Sequence, residues 1–386
     1  MSHSKPGKLN EQMPSISGHS APVLDFDFNP FHDHMIASCS EDSTVKVWGI
    51  PEGGLTEDVT EPLVDLHGHQ RKVTLIKFHP TASNVLASTS ADQSVKLWDI
   101  EKGMEINTLS DAHDQLIQDI VWDYTGSVYT TSSKDKHVRI CDARANCVAS
   151  MIETAHEGAK STKLTYLGHH ERLVTVGFTR QSQRQFKIWD PRNTKEELKR
   201  IDVDQAAGVI MPFFDPDTNL LFLAGKGDGN VRFYEIVGDN PYCHPVADHR
   251  SQTPAKGMAW VPKRGLNILG CETARLMKLT NNSVEPLCFF VPRKSEVFQE
   301  DLYPPSASSE PAHSCDEWLA GSNRPPKLVS LNPSASSSSA AAAVAAPVPR
   351  QVATKSLPTL QAELAQAQAR IKTLEDKLKA AGIPFN

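Results

Sequence analysis

Along most of the chain apolar and polar residues alternate with a period of two. "VLDFDF" (Val23 to Phe28) and "VTLIKF" (Val73 to Phe78) read as strands with one buried face. Each leads into a strand of small residues, "IASCSED" or "LASTSAD", then a turn, then a strand ending in Trp48 or Trp98. "TTSSKDKHVRICD" keeps the same frame: Asp135 leads Cys141 by the six positions that separate Asp42 from Trp48 and Asp92 from Trp98, with cysteine in the tryptophan position. A fourth unit ends at "FKIWD" (Phe186 to Asp190) without the aspartate, and a fifth carries Asp228 six before Tyr234 in "LAGKGDGNVRFYEI". A sixth, "GMAWVPKRGLNILGCETARLMKLT", keeps only the strand rhythm.

The units open on Gly18-His19, Gly68-His69, Ala112-His113 and Ala155-His156, a spacing of 43 to 50 residues. That period is the one of WD40-type β-propeller blades, so the expected fold is all-β with six recognisable blades. A blade joins residues from separate strands and turns, and a buried hydroxyl–imidazole–carboxylate network can pin them while satisfying every polar group. The expected sets are His19, Ser40, Asp42 and Trp48 in the first unit and His69, Ser90, Asp92 and Trp98 in the second. Serine, histidine and aspartate also make a hydrolase triad, but a catalytic set occurs once, whereas this one recurs with the blade; no catalytic residue is assigned. "GKGDGN" (Gly225 to Asn230) lacks the GxxxxGK[ST] spacing of a phosphate loop and lies between two strands, so it reads as a hairpin turn.

Beyond the last strand the pattern changes twice. "SASSSSAAAAVAAPVPR" has no large apolar residue to bury and reads as a linker. After it Leu357, Leu360, Leu364, Ala367, Ile371, Leu374, Leu378 and Ala381 recur in steps of three and four, which puts them on the seam of a left-handed coiled coil. A helix this short needs a partner in water. General rules leave its strand number open, since an Ile at one core position favours two strands and the leucines elsewhere do not.

Composition narrows the function. Forty basic and 46 acidic residues give a net charge of −6, which argues against an overall preference for nucleic acid or anionic membrane. The seven cysteines contain no CxxC pair, and the histidines, including His169-His170, His32 and His34, show no metal-ligand spacing; no cofactor or metal is expected. No apolar run approaches the roughly 20 residues that span a bilayer, and the opening "MSHSKPGKLNEQ" has no signal-peptide core. A cytoplasmic protein is the expectation.

Several longer stretches resemble the coronin family: "ASCSEDSTVKVWGIPEGGLTEDVTEPLVDLHGHQRKV", "VGFTRQSQRQFKIWDPR", "PFFDPDTNLLFLAGKGDGNVRFYEI" and "VPRKSEVFQEDLYP". The resemblance spans about Pro6 to Pro333 and resumes at the C-terminal helix. It implies a propeller of the seven-bladed family pattern, an extension packed against it, a variable linker and a coiled coil. The implied boundaries are 1–17 for a remnant of the family's first blade, 18–290 for the propeller, 291–332 for the extension with Trp318 and Leu319 as its apolar anchor, 333–355 for the linker and 356–382 for the coiled coil. Roughly one blade is missing at the front, so an open ring is expected, with the strand around Lys8 to Ile16 pairing near Val284 to Val291. The resemblance also implies binding to filamentous actin and to the branched-actin nucleation complex. Candidate actin contacts are Arg71, Lys72, Lys134, Lys136, Lys263 and Arg264, each otherwise an ordinary solvated loop charge. The competing expectation is a general interaction scaffold whose actin binding weakened with the loss of the first blade. "RIKTLE" (Arg370 to Glu375) resembles the trimer signature of coronin coiled coils, which implies a homotrimer held by Leu364, Arg370, Ile371, Leu374, Glu375 and Leu378.

Overall fold

The structure is a computed structural model that describes residues 7–8, 13–294 and 297–333. The linker and coiled-coil expectations, and with them Leu364, Arg370, Ile371, Leu374, Glu375 and Leu378, lie outside the described residues.

Six antiparallel sheets follow one another along the chain as a β-propeller. The first is β1 (Val23–Phe28), β2 (Met35–Ser40), β3 (Thr44–Gly49) and β4 (Val64–His67). The second is β5 (Val73–Phe78), β6 (Val85–Ser90), β7 (Val95–Asp99) and β8 (Met104–Leu109). The third is β9 (Ile117–Trp122), β10 (Val128–Ser133), β11 (Val138–Asp142) and β12 (Cys147–Ile152). The fourth is β13 (Lys163–Tyr166), β14 (Leu173–Phe178), β15 (Arg184–Trp189) and β16 (Lys199–Asp204). The fifth is β17 (Ile210–Asp215), β18 (Leu220–Gly225), β19 (Val231–Ile236) and β20 (Cys243–His249). The sixth has three strands, β21 (Gly257–Trp260), β22 (Glu272–Leu279) and β23 (Val284–Phe290).

Alternation along each strand sends one set of side chains to each neighbouring sheet, so the core is a series of inter-blade layers. Ala37, Cys39, Val45, Val47 and Leu66 of the first blade pack on Val73, Ile76, Phe78 and Trp98 of the second. Similar layers join the second blade to the third, the third to the fourth, the fourth to the fifth, and the fifth to the sixth.

The leading face of the first blade differs. Val23, Phe26 and Phe28 hold the positions on β1 that Val73, Ile76 and Phe78 hold on β5, with the same bulge after the first residue. Yet they are 48%, 59% and 53% exposed, where their counterparts are 0%, 2% and 5% exposed. The first and sixth blades are linked by other means. Gly7 and Val284 exchange both backbone hydrogen bonds, at 3.1 and 3.0 Å, and Ile16 lies in a parallel bridge with Val59. Among the described residues the expected pairing of Lys8 to Ile16 with Val284 to Val291 is met only by the neighbouring Gly7, and Ile16, at the far end of that segment, lies against the first blade. Arg264 of the sixth blade forms an ion pair with Asp33 of the first.

The extension crosses one end of the propeller. Tyr303 donates its hydroxyl to the Glu272 carbonyl at 2.9 Å, and Ala312 N–H donates to the Thr81 carbonyl at 2.9 Å. A short helix, α1 (Cys315–Leu319), begins with a capping box between Ser314 and Glu317. It drives Trp318 between the second and third blades, fully buried against Trp122 and His79, with its indole N–H on the Gly126 carbonyl at 3.2 Å. Leu319, its expected fellow anchor, stays exposed.

Candidate functional site

The densest polar chemistry lies inside the blades. His19 Nδ1 is 2.8 Å from Asp42, its Nε2 is 2.8 Å from Ser38 Oγ, and Trp48 Nε1 donates to that same oxygen at 2.8 Å. The second blade repeats this with His69, Asp92, Ser88 and Trp98 at 3.0, 2.8 and 2.8 Å. An indole can only donate, so the serine hydroxyl turns its own proton to Nε2, and the imidazole proton is left at Nδ1 for the carboxylate. The order Ser–His–Asp is that of a hydrolase triad, but each hydroxyl is buried and already accepts the indole N–H of its own blade.

The serine assignment needs correction. Ser40 and Ser90 are not the bridging residues; Ser40 accepts from Asp42 N–H and donates to the Ala21 carbonyl, and Ser90 does the same with Asp92 and Arg71. Ser38 and Ser40 share a face, and only the one a residue pair nearer the tryptophan is within reach of its indole. The glycine before each histidine answers to the same ring: a Cβ on Gly18 would fall 2.6 Å from Trp48 and 2.2 Å from the Thr60 carbonyl.

Burial pushes Asp92 upward, but the Ser94 hydroxyl and the N–H groups of Ser94 and Gln70 outweigh it and bring the carboxyl down to about 2. Asp42 likewise falls to about 2, with Thr44 and His19 overcoming burial. His69 is lowered by burial against the pull of Asp92, so it is neutral at pH 7.

The later blades vary the network. In the third, Asp135 turns to Arg139 at 2.8 Å, and His113 keeps only the Thr131 hydroxyl, at 2.8 Å. In the fourth, Thr175 bridges His156 and Trp189, and Gln185 donates to His156 Nδ1 where blades one and two use aspartate. Asp228 of the fifth blade joins no histidine. Arg184, wholly buried in the fourth blade, bonds Asp204 and Asp228 at 2.6 Å each and ties the two blades together.

Antiparallel strands put successive turns at opposite ends of the propeller. The extension docks on the end formed by the first-to-second-strand turns, those that hold Thr81 and Gly126. Arg71 and Lys72 lie before β5, and Lys134 and Lys136 in the β10–β11 turn, so these four share the other end and are exposed. Lys72 pairs with Glu41 at 3.1 Å and Lys136 donates to the Glu157 carbonyl at 2.7 Å, while Arg71 and Lys134 have no charged partner among the described residues.

Lys263 and Arg264 are removed from the candidate contacts. Both belong to the extension end; Lys263 is spent internally on Asp215 at 2.6 Å and the Thr273 carbonyl at 2.7 Å, and Arg264 is engaged at the surface by Asp33. Nothing in "VPKRG" marks the two carboxylates, which lie 48 and 231 residues away. The described residues contain no cluster of His, Cys, Asp and Glu fit to hold a metal ion, and no helix among them is long and apolar enough to cross a membrane.

Comparisons with known proteins agree with this geometry. A family model described as "WD domain, G-beta repeat" matches residues 10–49, 60–99 and 103–142, and one described as a type of WD40 repeat matches 284–326. The chain is 47% identical over 329 residues to Coronin-A of Dictyostelium discoideum, covering 85% of this chain and 73% of that one. The crystal structure of the WD40 domain from Toxoplasma gondii coronin superposes with a TM-score of 0.78 at 31% identity, with 82% of each chain covered. A chain of the mitotic checkpoint complex, at 17% identity and a TM-score of 0.55 over 70% of this chain and 77% of that one, shares the fold.

Proposed function

The chain belongs to the coronin family, and from that premise we propose that it binds filamentous actin in the cytoplasm, organises the actin cytoskeleton as a scaffold without a reaction of its own, and engages the branched-actin nucleation complex. The observation that carries the reading is the 47% identity across 329 residues of a coronin. What supports a contact on the propeller is that the extension occupies one end of it, while the opposite end presents Arg71, Lys72, Lys134 and Lys136 to solvent. Actin filaments are acidic, so a contact through these cations weakens as salt screens it.

The seam of residues 357–381 completes the proposal with a parallel homotrimer in which Arg370 and Glu375 pair between chains and three propellers engage one filament with avidity. Cosedimentation with actin filaments across a salt series tests the binding, and sedimentation velocity of the full chain tests the assembly. Pelleting that is absent at low salt rejects filament binding; a monomer at micromolar concentration rejects the trimer.

A further inference from the structure

At the fifth and sixth blades, the end opposite the extension carries a second cationic site outside the sequence candidates. The β18–β19 turn is held firmly: Lys226 N–H donates to the Val209 carbonyl and Gly227 N–H to the Ala255 carbonyl, both at 2.8 Å, and Gly229 N–H donates to the Gly225 carbonyl at 3.0 Å. Gly227 and Gly229 take φ of 94° and 73°, and a Cβ on Gly229 would fall 2.5 Å from the Thr253 carbonyl, so the turn depends on glycine there. The bond between Gly227 and Ala255 brings two loops side by side, and Lys226 and Lys256 are the residues that flank it.

Both lysines are exposed, and neither side chain has a partner among the described residues. The one acid of the turn, Asp228, points inward to Arg184 at 2.6 Å, and Asp204 is held by Arg184 and Arg232. Beneath them Lys278 is buried, with its ammonium on Ser251 Oγ at 2.6 Å and Glu285 4.0 Å away. Two like charges on fixed, adjacent loops repel each other, and the neighbouring carboxylates are turned away from them; an external anion relieves that repulsion.

We infer that Lys226 and Lys256 form a second docking point for an acidic protein surface, across the same end of the propeller from Arg71 and Lys134. The inference rests on the filament-binding reading and gives the footprint two cationic corners on one rigid face in place of one. Two separated corners fix orientation as well as attraction, since a partner must match both at once.

The test uses the full chain with Lys226→Glu/Lys256→Glu, the milder Lys226→Gln/Lys256→Gln, and Lys195→Glu as a charge reversal at the extension end. Filament cosedimentation at about 50 mM salt is expected to weaken at least about five-fold in the glutamate pair and less in the glutamine pair, with the gap closing toward about 0.3 M salt. Lys195→Glu should behave as the unaltered chain. Circular dichroism and thermal melting confirm that the variants are folded. Unchanged pelleting of the folded glutamate pair overturns the inference, and so does a loss independent of salt. Unchanged pelleting together with lost binding to phosphatidylserine vesicles overturns it in favour of a lipid surface. Failure of the unaltered chain to pellet would reject the underlying filament reading, and shows before any variant is measured.

Discussion

Replacing Asp92 with alanine removes an acceptor that takes four hydrogen bonds: from His69 Nδ1 at 3.0 Å, Gln70 N–H at 2.9 Å, Ser94 N–H at 2.9 Å and the Ser94 hydroxyl at 2.6 Å. Its fall from an ordinary carboxylate value to about 2 means that the fold favours the ionised form by about 2 kcal/mol. Orphaning a buried imidazole and two N–H groups costs a similar amount, so the variant should lose about 2–3 kcal/mol at pH 7. For a protein of this size that is a melting temperature lower by about 3–5 °C. The sign of the pH dependence follows. The folded pKa lies below the unfolded one, so the ionic part of the stabilisation is complete above about pH 4 and is lost as pH falls through about 2, with roughly half left at pH 3. Denaturant midpoints of the two proteins at pH 7 and pH 3 make the measurement. Equal midpoints at pH 7, or a gap that does not narrow by pH 3, would refute the reasoning.

Three further outcomes are expected. Burial pushes Asp25 up to about 6, so stability is greatest while it is protonated and falls as pH rises from about 4 through 6; Asp25→Asn should flatten that slope and match or exceed the unaltered chain at pH 7, and a lower urea midpoint there would contradict this. Phe28→Ser should shift stability by no more than about 0.5 kcal/mol, while Phe78→Ser at the matching buried position costs about 3 kcal/mol or more; comparable losses would mean that the exposed face is covered. Trp318→Ala should remove about 3–5 kcal/mol from the docking of the extension and make residues 304–333 sensitive to limited proteolysis, and an unchanged cleavage pattern would count against the anchor.

The propeller was legible because blade geometry leaves its mark at short range. Period-two alternation gives the strands, and the six-residue step from Asp42 to Trp48 recurs because each blade builds the same turn. What was not legible depends on distance in space. Ser38 and Ser40 lie on one face of one strand, and only the reach of an indole from the next strand chooses between them. Arg184 meets Asp204 and Asp228, 20 and 44 residues away, so its role as an inter-blade tie leaves no local signature. Lys263 reads as a solvated turn charge until the fifth blade is placed beside it and Asp215 claims it. The two ends of the propeller, which divide the six candidate cations four to two, become visible only once the strand order is fixed.

The exposed face of β1 has a consequence for how the molecule opens. Stability in a chain of similar modules is a sum of terms within each module and between neighbours, and a terminal module lacks one neighbour term. The second to fifth blades are each gripped by apolar layers on both sides, and the sixth is held by one layer and by Tyr303 of the extension. Among the described residues the first blade has one apolar layer, the backbone bridge between Ile16 and Val59, and an exposed ion pair to the sixth blade worth under about 1 kcal/mol. Amide protons of β1 and β2 should therefore exchange ahead of those in the other blades, with the first blade fraying as a unit while the rest of the array stays protected.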